Sequence, residues 1–154
     1  MKFNVLIDNK EKTPWDFDGI EYIANANICH LNTGDYTIEG LEDILCIERK
    51  RSVAELAHNV MEKRFVKELE RMSEFEYRFL ILEFNFRHIE DYPIGSDIPK
   101  SKHKNIKVRG PFIMSFLAKI QVNYNIHVIP CGHRTYAEEV ACNLMKTVYR
   151  KYYA

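Results

Sequence analysis

Two acidic residues and a lysine in the first third of the chain have the types and spacing for phosphodiester chemistry. An apolar run, residues 44–47, leads directly into Glu48, Arg49 and Lys50, the pattern of a buried strand that ends at a polar site. Because strand side chains alternate, Glu48 and Lys50 should share one face, about 6.6 Å apart at ~3.3 Å per residue. Asp35 begins the preceding β-rich segment, and a hairpin between the two segments would bring its carboxylate beside Glu48.

This combination suits metal-assisted hydrolysis of a phosphodiester. Carboxylate oxygens are the ligands that hard divalent cations prefer. The lysine could orient the attacking water or neutralise charge on the phosphate. Asp8 follows the short apolar strand 3–7, and it could either approach the same site or begin a turn by hydrogen bonding to its own backbone.

The same residues resemble a known family. Asp35 followed by Glu48-x-Lys50 is similar to the PD-(D/E)xK nuclease superfamily, and the ordered set of motifs resembles the nuclease domain of the XPF/Hef/Mus-type structure-specific endonucleases. The matching motifs are Asp8-x-x-Glu11, Gly34-Asp35-Tyr36, Glu48-Arg49-Lys50 and Arg64-Phe65. The resemblance spans roughly residues 3–84 by motif. It is carried by the ordered set rather than by any one motif.

The resemblance implies a DNA endonuclease that uses Mg²⁺, for which Mn²⁺ may substitute, and that cuts branched, flap or single/double-strand junction DNA. Asp35, Glu48 and the backbone carbonyl of Ile47 would hold the metal ion. Asp8 and Glu11 would complete or support its shell. The expected catalytic residues are Asp8, Asp35, Glu48 and Lys50.

Several supporting roles are expected less directly. Arg49 lies between the two site residues of its motif, and Arg64 would border the active site and hold a DNA phosphate, unless it belongs to a solvated helix face. Glu55 would stand for the final acid of the family motif, or would instead complete a capping box with Ser52. Glu83, which ends the apolar strand 77–84, would support the metal site or be a plain strand-end charge.

A basic segment, about residues 97–110, is the main candidate for a second DNA contact. The 22 basic and 22 acidic residues of the chain cancel, so DNA binding must come from a local patch. The segment is either an arm along the phosphate backbone or a solvated, disordered loop. Its candidate DNA-binding residues are Lys100, Lys102, Lys104, Lys107 and Arg109.

The whole chain predicts one α/β domain, residues 1–154, with a restriction-endonuclease-like mixed central sheet flanked by helices. Four scattered cysteines without a CxxC pair argue against a zinc site and for reduced thiols. No apolar stretch approaches the ~20 residues of a membrane span. We therefore expect a cytoplasmic protein without membrane contact, in a bacterial or phage-infected host cell.

Alternatives to this interpretation remain open at the level of sequence. The chain could be a non-catalytic DNA-binding scaffold of the same fold, or a PD-(D/E)xK nuclease that acts on plain duplex or RNA. The short chain resembles the stand-alone form of the nuclease found in phage and prophage genomes. A homodimer is expected from the family, although the sequence does not indicate its surface.

Overall fold

A mixed six-stranded sheet forms the centre of the protein, which the computed structural model describes over residues 1–153. The strands are β1 (Phe3–Asp8), β2 (Ile23–Cys29), β3 (Tyr36–Ile38), β4 (Leu45–Lys50), β5 (Tyr77–Leu82) and β6 (His127–Pro130). Their order across the sheet is β2-β1-β3-β4-β5-β6. Strand β3 runs antiparallel to both neighbours, whereas β1–β2, β4–β5 and β5–β6 are parallel pairs.

This topology brings the predicted site residues to one edge of the sheet. The carboxyl ends of β1, β4, β5 and β6 and the amino end of β3 all lie there, because only β3 is reversed among them. Asp8 ends β1, Asp35 immediately precedes β3, and Glu48 and Lys50 are in the last three residues of β4. The predicted α/β fold with a mixed central sheet is therefore confirmed.

Helices cover both faces of the sheet. They are α1 (Val53–Asn59), α2 (Lys63–Met72), α3 (Phe86–Asp91), α4 (Gly110–Tyr124) and α5 (Arg134–Tyr153). Helix α5 and the Trp15–Phe17 loop pack on one face, and α1 to α4 pack on the other. None of the helices within residues 1–153 combines the length and apolar character needed to cross a bilayer.

The side chains of β4 point alternately to the two faces of the sheet, and this includes the polar residues at its end. Leu45 and Ile47 belong to the core under α5, whereas Cys46 belongs to the core under α1 and α2. The same parity sends Glu48 and Lys50 toward α1 and α2, and Arg49 toward the α5 side. The strand therefore delivers one acid and one amine to a single face, as the sequence predicts.

The basic segment is folded rather than disordered. A 3₁₀ helix (Lys100–Asn105) occupies its centre, and Ile98, Ile106 and Val108 pack against the core. Arg109 closes the segment by donating hydrogen bonds to the carbonyls of His103 (2.6 Å) and Ile106 (3.1 Å). Its lysines project from an ordered wall.

Helix α3 is an element that the sequence pattern did not predict. Asn85 caps it, accepting a hydrogen bond from the His88 amide (3.0 Å), while His88 Nδ1 accepts one from the Asn85 amide (3.0 Å). This is a reciprocal capping box with histidine at the third position. The usual sequence signature requires Glu or Gln there, so the helix start was not apparent.

Candidate active site

Asp35 is fastened to β4 at two points. Its amide donates to the Ile47 carbonyl (2.8 Å), and its Oδ2 accepts a hydrogen bond from the Arg49 amide (2.8 Å). The approach is so close that a Cβ on Gly34 would lie 2.5 Å from Cys46 Sγ, and Gly34 has φ +80°. Only glycine suits that turn. The Ile47 carbonyl thus already accepts one hydrogen bond within the sheet, and its role as a metal ligand stays a prediction.

Asp35 and Glu48 form a buried carboxyl pair. A hydrogen bond joins the two side chains. Burial raises the pKa of Asp35 to about 6, although hydrogen bonds from Glu48 and from the Arg49 amide oppose the shift. Burial and the charge of Asp35 raise the pKa of Glu48 well above its ordinary value, while Lys50 opposes that rise. The two acids therefore cannot both ionise easily unless a cation joins them.

Asp8 lies beside this pair and also holds its own turn. Its two carboxylate oxygens accept hydrogen bonds from the amides of Leu31 (3.0 Å) and Lys10 (3.3 Å). Its amide donates to the Asp35 carbonyl (2.8 Å). The two roles that the sequence left open for Asp8 are thus compatible. The turn fixes the carboxylate at the wall of the cavity that contains Asp35.

Lys50 extends over helix α2. Its Nζ lies 4.6 Å from the centroid of the Phe65 ring, a cation–π contact. Its acidic partner, Glu55, is 3.9 Å away, which is a long separation for an ion pair. The Glu55 carboxylate also lies 3.6 Å from Arg51. Instead of completing the predicted capping box, Glu55 provides only its amide to Ser52 Oγ (3.1 Å).

A cavity of about 270 Å³ joins these groups. Asp8, Asp35, Glu48 and Lys50, the four predicted catalytic residues, all line it. Arg64 also contributes to the lining, but its side chain is 89% exposed and its nearest acid is Glu62 at 3.5 Å. Arg64 is therefore free to contact a ligand at the mouth of the cavity.

The structure adds two residues to the cavity wall that sequence reasoning missed. Glu68 of α2 accepts a hydrogen bond from the Gly34 amide (3.3 Å), and its charge raises the pKa of Glu48 after burial and Asp35 have done so. Asn59 has a buried Oδ1 without a hydrogen-bond partner among residues 1–153. The sequence contains one signal for Glu68. It follows Arg64 by four residues, so the two side chains lie on the same helix face.

Glu11, Arg49 and Glu83 lie on the opposite face of the sheet. The Arg49 side chain is fully buried, 2.9 Å from a Glu11 oxygen and 2.9 Å from a Glu83 oxygen. It also donates to the Thr13 carbonyl (2.8 Å), and Trp15 Nε1 donates to Glu83 (2.8 Å). This corrects the predicted positions of Glu11 and Glu83 near a metal ion, because their oxygens hold Arg49 instead.

The basic residues of the segment 97–110 lie outside the carboxylate cavity. Lys102 lines a larger neighbouring cavity, Lys107 lines a separate groove, and Lys100 and Lys104 are exposed on the 3₁₀ helix. Arg109 is committed to carbonyls of its own segment. The structure therefore does not bring these residues together with Asp35, Glu48 and Lys50 in a single pocket.

The model of the ERCC4 domain family matches residues 7–144, which includes every strand end of this site. The chain belongs to the ERCC4 domain family. This confirms the resemblance that the GDY, ERK and RF motifs indicated. A comparison with curated protein sequences finds no significant match.

Two solved structures share the fold of this ERCC4 domain. XPF from Aeropyrum pernix superposes with a TM-score of 0.69 at 20% identity, covering 96% of this chain and 65% of that chain. XPF from Aeropyrum pernix in complex with DNA gives a TM-score of 0.68 at 19% identity, covering 99% of this chain and 68% of that chain. The ERCC4 domain described here thus spans about two thirds of the length of these relatives.

The buried Arg49 network yields a stability prediction. Arg49→Ala should lower the free energy of unfolding by about 3–5 kcal/mol, because it leaves Glu11 and Glu83 buried without their cation. Urea denaturation monitored by Trp15 fluorescence measures the change. Arg51→Ala, two residues along and partly exposed, is the matched control and should stay within about 0.5 kcal/mol. Equal effects of the two variants would contradict the assigned network.

The carboxyl pair yields a second prediction. Glu48→Gln should raise the melting temperature of the metal-free protein by about 2–4 °C, the shift that ~1 kcal/mol produces in a domain of this size. The amide keeps the contact with Asp35 but removes an ionisable group from a buried position. Differential scanning calorimetry in EDTA checks this. Glu70→Gln, on the exposed side of α2, should leave the melting temperature unchanged, and a fall for Glu48→Gln would refute the prediction.

Proposed function

We propose that this ERCC4 domain is a DNA endonuclease that hydrolyses phosphodiester bonds with a divalent metal ion, Mg²⁺ or Mn²⁺, at branched, flap or junction DNA. The observation that carries the proposal is the buried Asp35–Glu48 pair, which shares one cavity with the amine of Lys50. A structure with stability as its only requirement would gain little from two coupled acids at a strand end. The fold relative in complex with DNA supports a nucleic-acid substrate for this family fold.

The donor groups present fit a hard divalent cation. No three His, Cys, Asp or Glu side chains within residues 1–153 are grouped as a ready metal site. Mg²⁺ does not require such a set, because it commonly binds through one or two carboxylates, water and substrate phosphates. The raised pKa of Asp35 and the orphaned Asn59 Oδ1 both indicate oxygen atoms in need of a cation or donor.

Asp35 and Glu48 would hold the metal ion. We prefer the Arg49 carbonyl to that of Ile47 as a third ligand, because the Ile47 carbonyl already accepts a hydrogen bond from the Asp35 amide. Carbonyls alternate along a strand, so it is directed to the same side as that of Ile47, toward the Asp35 carboxylate. Asp8 and Glu68 add negative charge at the cavity wall, which favours a cation over an anion at the centre. Glu11 and Glu83 have no part in this set.

The residues of the chain supply positioning and charge around the reacting phosphate. A bound divalent cation would contribute Lewis-acid polarisation of the phosphoryl group and make water a nucleophile at neutral pH. Lys50 would orient the water or offset the charge that develops on the phosphate. The contact with the Phe65 ring would orient the Lys50 amine. Arg64 would bind an adjacent phosphate at the mouth of the cavity.

The basic segment would provide a second, sequence-independent contact with DNA. The basic segment lies on the same side of the domain as α1, and it carries Lys100, Lys102, Lys104 and Lys107. Exposed lysines of this kind interact with phosphates as point charges and give salt-dependent affinity. Arg109 supports the segment from within rather than reaching a phosphate. A homodimer remains a proposal that a sizing measurement would test.

Cleavage assays test the proposed activity. Asp35→Asn and Lys50→Ala should each lower the cleavage rate by at least ~100-fold, because one removes metal-binding charge and the other removes charge stabilisation at the phosphate. The panel contains flap, fork, hairpin, plain duplex and RNA substrates with MgCl₂, and each again with EDTA. Glu70→Gln is the matched control and should cleave at the normal rate.

Each result of the panel has a defined meaning. Cleavage confined to branched DNA supports the proposal in full. Preferential cleavage of plain duplex or RNA would contradict the substrate class. DNA binding without any cleavage would identify a non-catalytic scaffold. Normal rates for Asp35→Asn or Lys50→Ala would overturn the assignment of the site.

Metal binding can be measured without activity. Millimolar MgCl₂ should raise the melting temperature of the wild-type domain, because a ligand that binds only the folded state stabilises it. Glu48→Gln should lose most of this rise, whereas Glu70→Gln should keep it. A Mg²⁺ response in Glu48→Gln equal to that of the wild type would exclude Glu48 as a ligand.

A further inference from the structure

A second cavity, of about 620 Å³, opens beside the candidate active site. Its walls are formed by residues that follow three parallel strands at the same sheet edge: Arg51 after β4, Phe84 after β5 and Gly132 after β6. Arg51 is the chain neighbour of Lys50. Glu55 lies 3.9 Å from Lys50 and 3.6 Å from Arg51, so it lies close to one lining residue of each cavity.

Apolar and aromatic side chains form one part of the lining of the second cavity, which we call its floor. Val53, Phe84 and Tyr92 are buried residues of the lining, and Ile94 at its edge is 71% exposed. Tyr92 also carries a hydroxyl, which can both donate and accept a hydrogen bond. An apolar lining that includes an aromatic ring and a hydroxyl suits a planar heterocycle that also forms hydrogen bonds.

The rim of the second cavity is basic. Arg51 and Lys102 line it, and the exposed Lys100 and Lys104 flank Lys102 on the 3₁₀ helix. Of the two acids in the lining, Glu83 is already held by Arg49, so the charges that oppose the rim are Asp97 and the Glu55 carboxylate beside Arg51. A ligand that combines a planar ring with a negative group satisfies both the floor and the rim. A nucleotide has this chemistry.

We propose that the second cavity binds one unpaired nucleotide of the DNA substrate, with its base on the apolar floor and its phosphates near Arg51 and Lys102. The proposal rests on the proposed function, since it specifies the strand next to the bond that is cut. A base within a duplex is paired and stacked, so it enters such a pocket only after it is unpaired. The cavity would therefore select DNA with an unpaired strand beside the cut.

An abasic scan tests whether a base occupies the cavity. Forked DNA with a single-stranded arm is titrated with the wild-type domain in EDTA, and fluorescence anisotropy gives the affinity without cleavage. A single abasic nucleotide is moved along the arm. We expect affinity to fall about tenfold at one or two adjacent positions near the junction, as loss of one stacked base would cause. A flat profile, or no binding of the arm, would overturn the proposal.

Protein variants test whether the cavity is the one described. Lys102→Ala should weaken binding of the forked DNA about fivefold and flatten the abasic profile, and it should weaken binding of blunt duplex by less, because duplex loses only one of several phosphate contacts. Lys119→Ala, which removes the same charge from an exposed position on α4, is the matched control and should change neither. Tyr92→Phe keeps the ring and removes the hydroxyl, so it should reduce discrimination among the four bases. Equal losses of forked and duplex DNA in Lys102→Ala would overturn the proposal.

Failure of this proposal is distinguishable from failure of the proposed function. Mg²⁺-dependent cleavage of forked DNA with a flat abasic profile would remove the nucleotide pocket and leave the nuclease intact. A position-dependent profile without cleavage of any nucleic acid would support the pocket and refute the nuclease.

Discussion

The buried guanidinium of Arg49 is the interaction on which the geometry of this domain depends. It connects Glu11 from the loop after β1, Tyr36 of β3 and Glu83 at the end of β5, all from its position in β4. The side chain has no exposure to solvent, so its desolvation cost must be offset by these partners. The partners lie in β3, directly after β5 and in the loop after β1. The network therefore fixes the end of β4 relative to the neighbouring strands.

The consequence for the site follows from alternation. Glu48 and Lys50 flank Arg49 in β4, so any shift of Arg49 along the sheet would shift both of them. The amide of Arg49 also donates to Asp35 (2.8 Å). One residue thus holds the structural network with its side chain and the acid pair with its backbone. The Arg49 network on the opposite face of the sheet therefore helps to hold Asp35 and Glu48 in their buried positions.

The sequence predicted those parts of the site that local strand physics determines. Asp35, Glu48 and Lys50 could be placed together because a hairpin and a two-residue period are short-range features. Glu11 and Glu83 were expected near the metal ion, but both lie on the opposite face of the sheet. Each is at the expected sheet edge, whereas the face it occupies depends on strand register and packing. Glu83 is two residues after Ile81, so it points to the same face, and Ile81 is paired with Arg49. This pairing is set by tertiary structure and is not visible in the sequence pattern. Glu68 and Asn59 were missed for a related reason, because the packing of helices α1 and α2 against the sheet decides which of their residues meet the strand ends.

Acids and bases alternate closely along the sheet edge that carries the site. The smaller cavity contains the buried Asp35–Glu48 pair beside Lys50 and Arg64, whereas Arg51 and Lys102 border the larger one. When ionised, the Asp35 and Glu48 carboxylates would repel a phosphate placed beside them unless a cation lies between. Metal binding and DNA binding should therefore be coupled. A divalent ion held by Asp35 and Glu48 would remove this local repulsion, so the site would accept a phosphate most readily when the ion is bound.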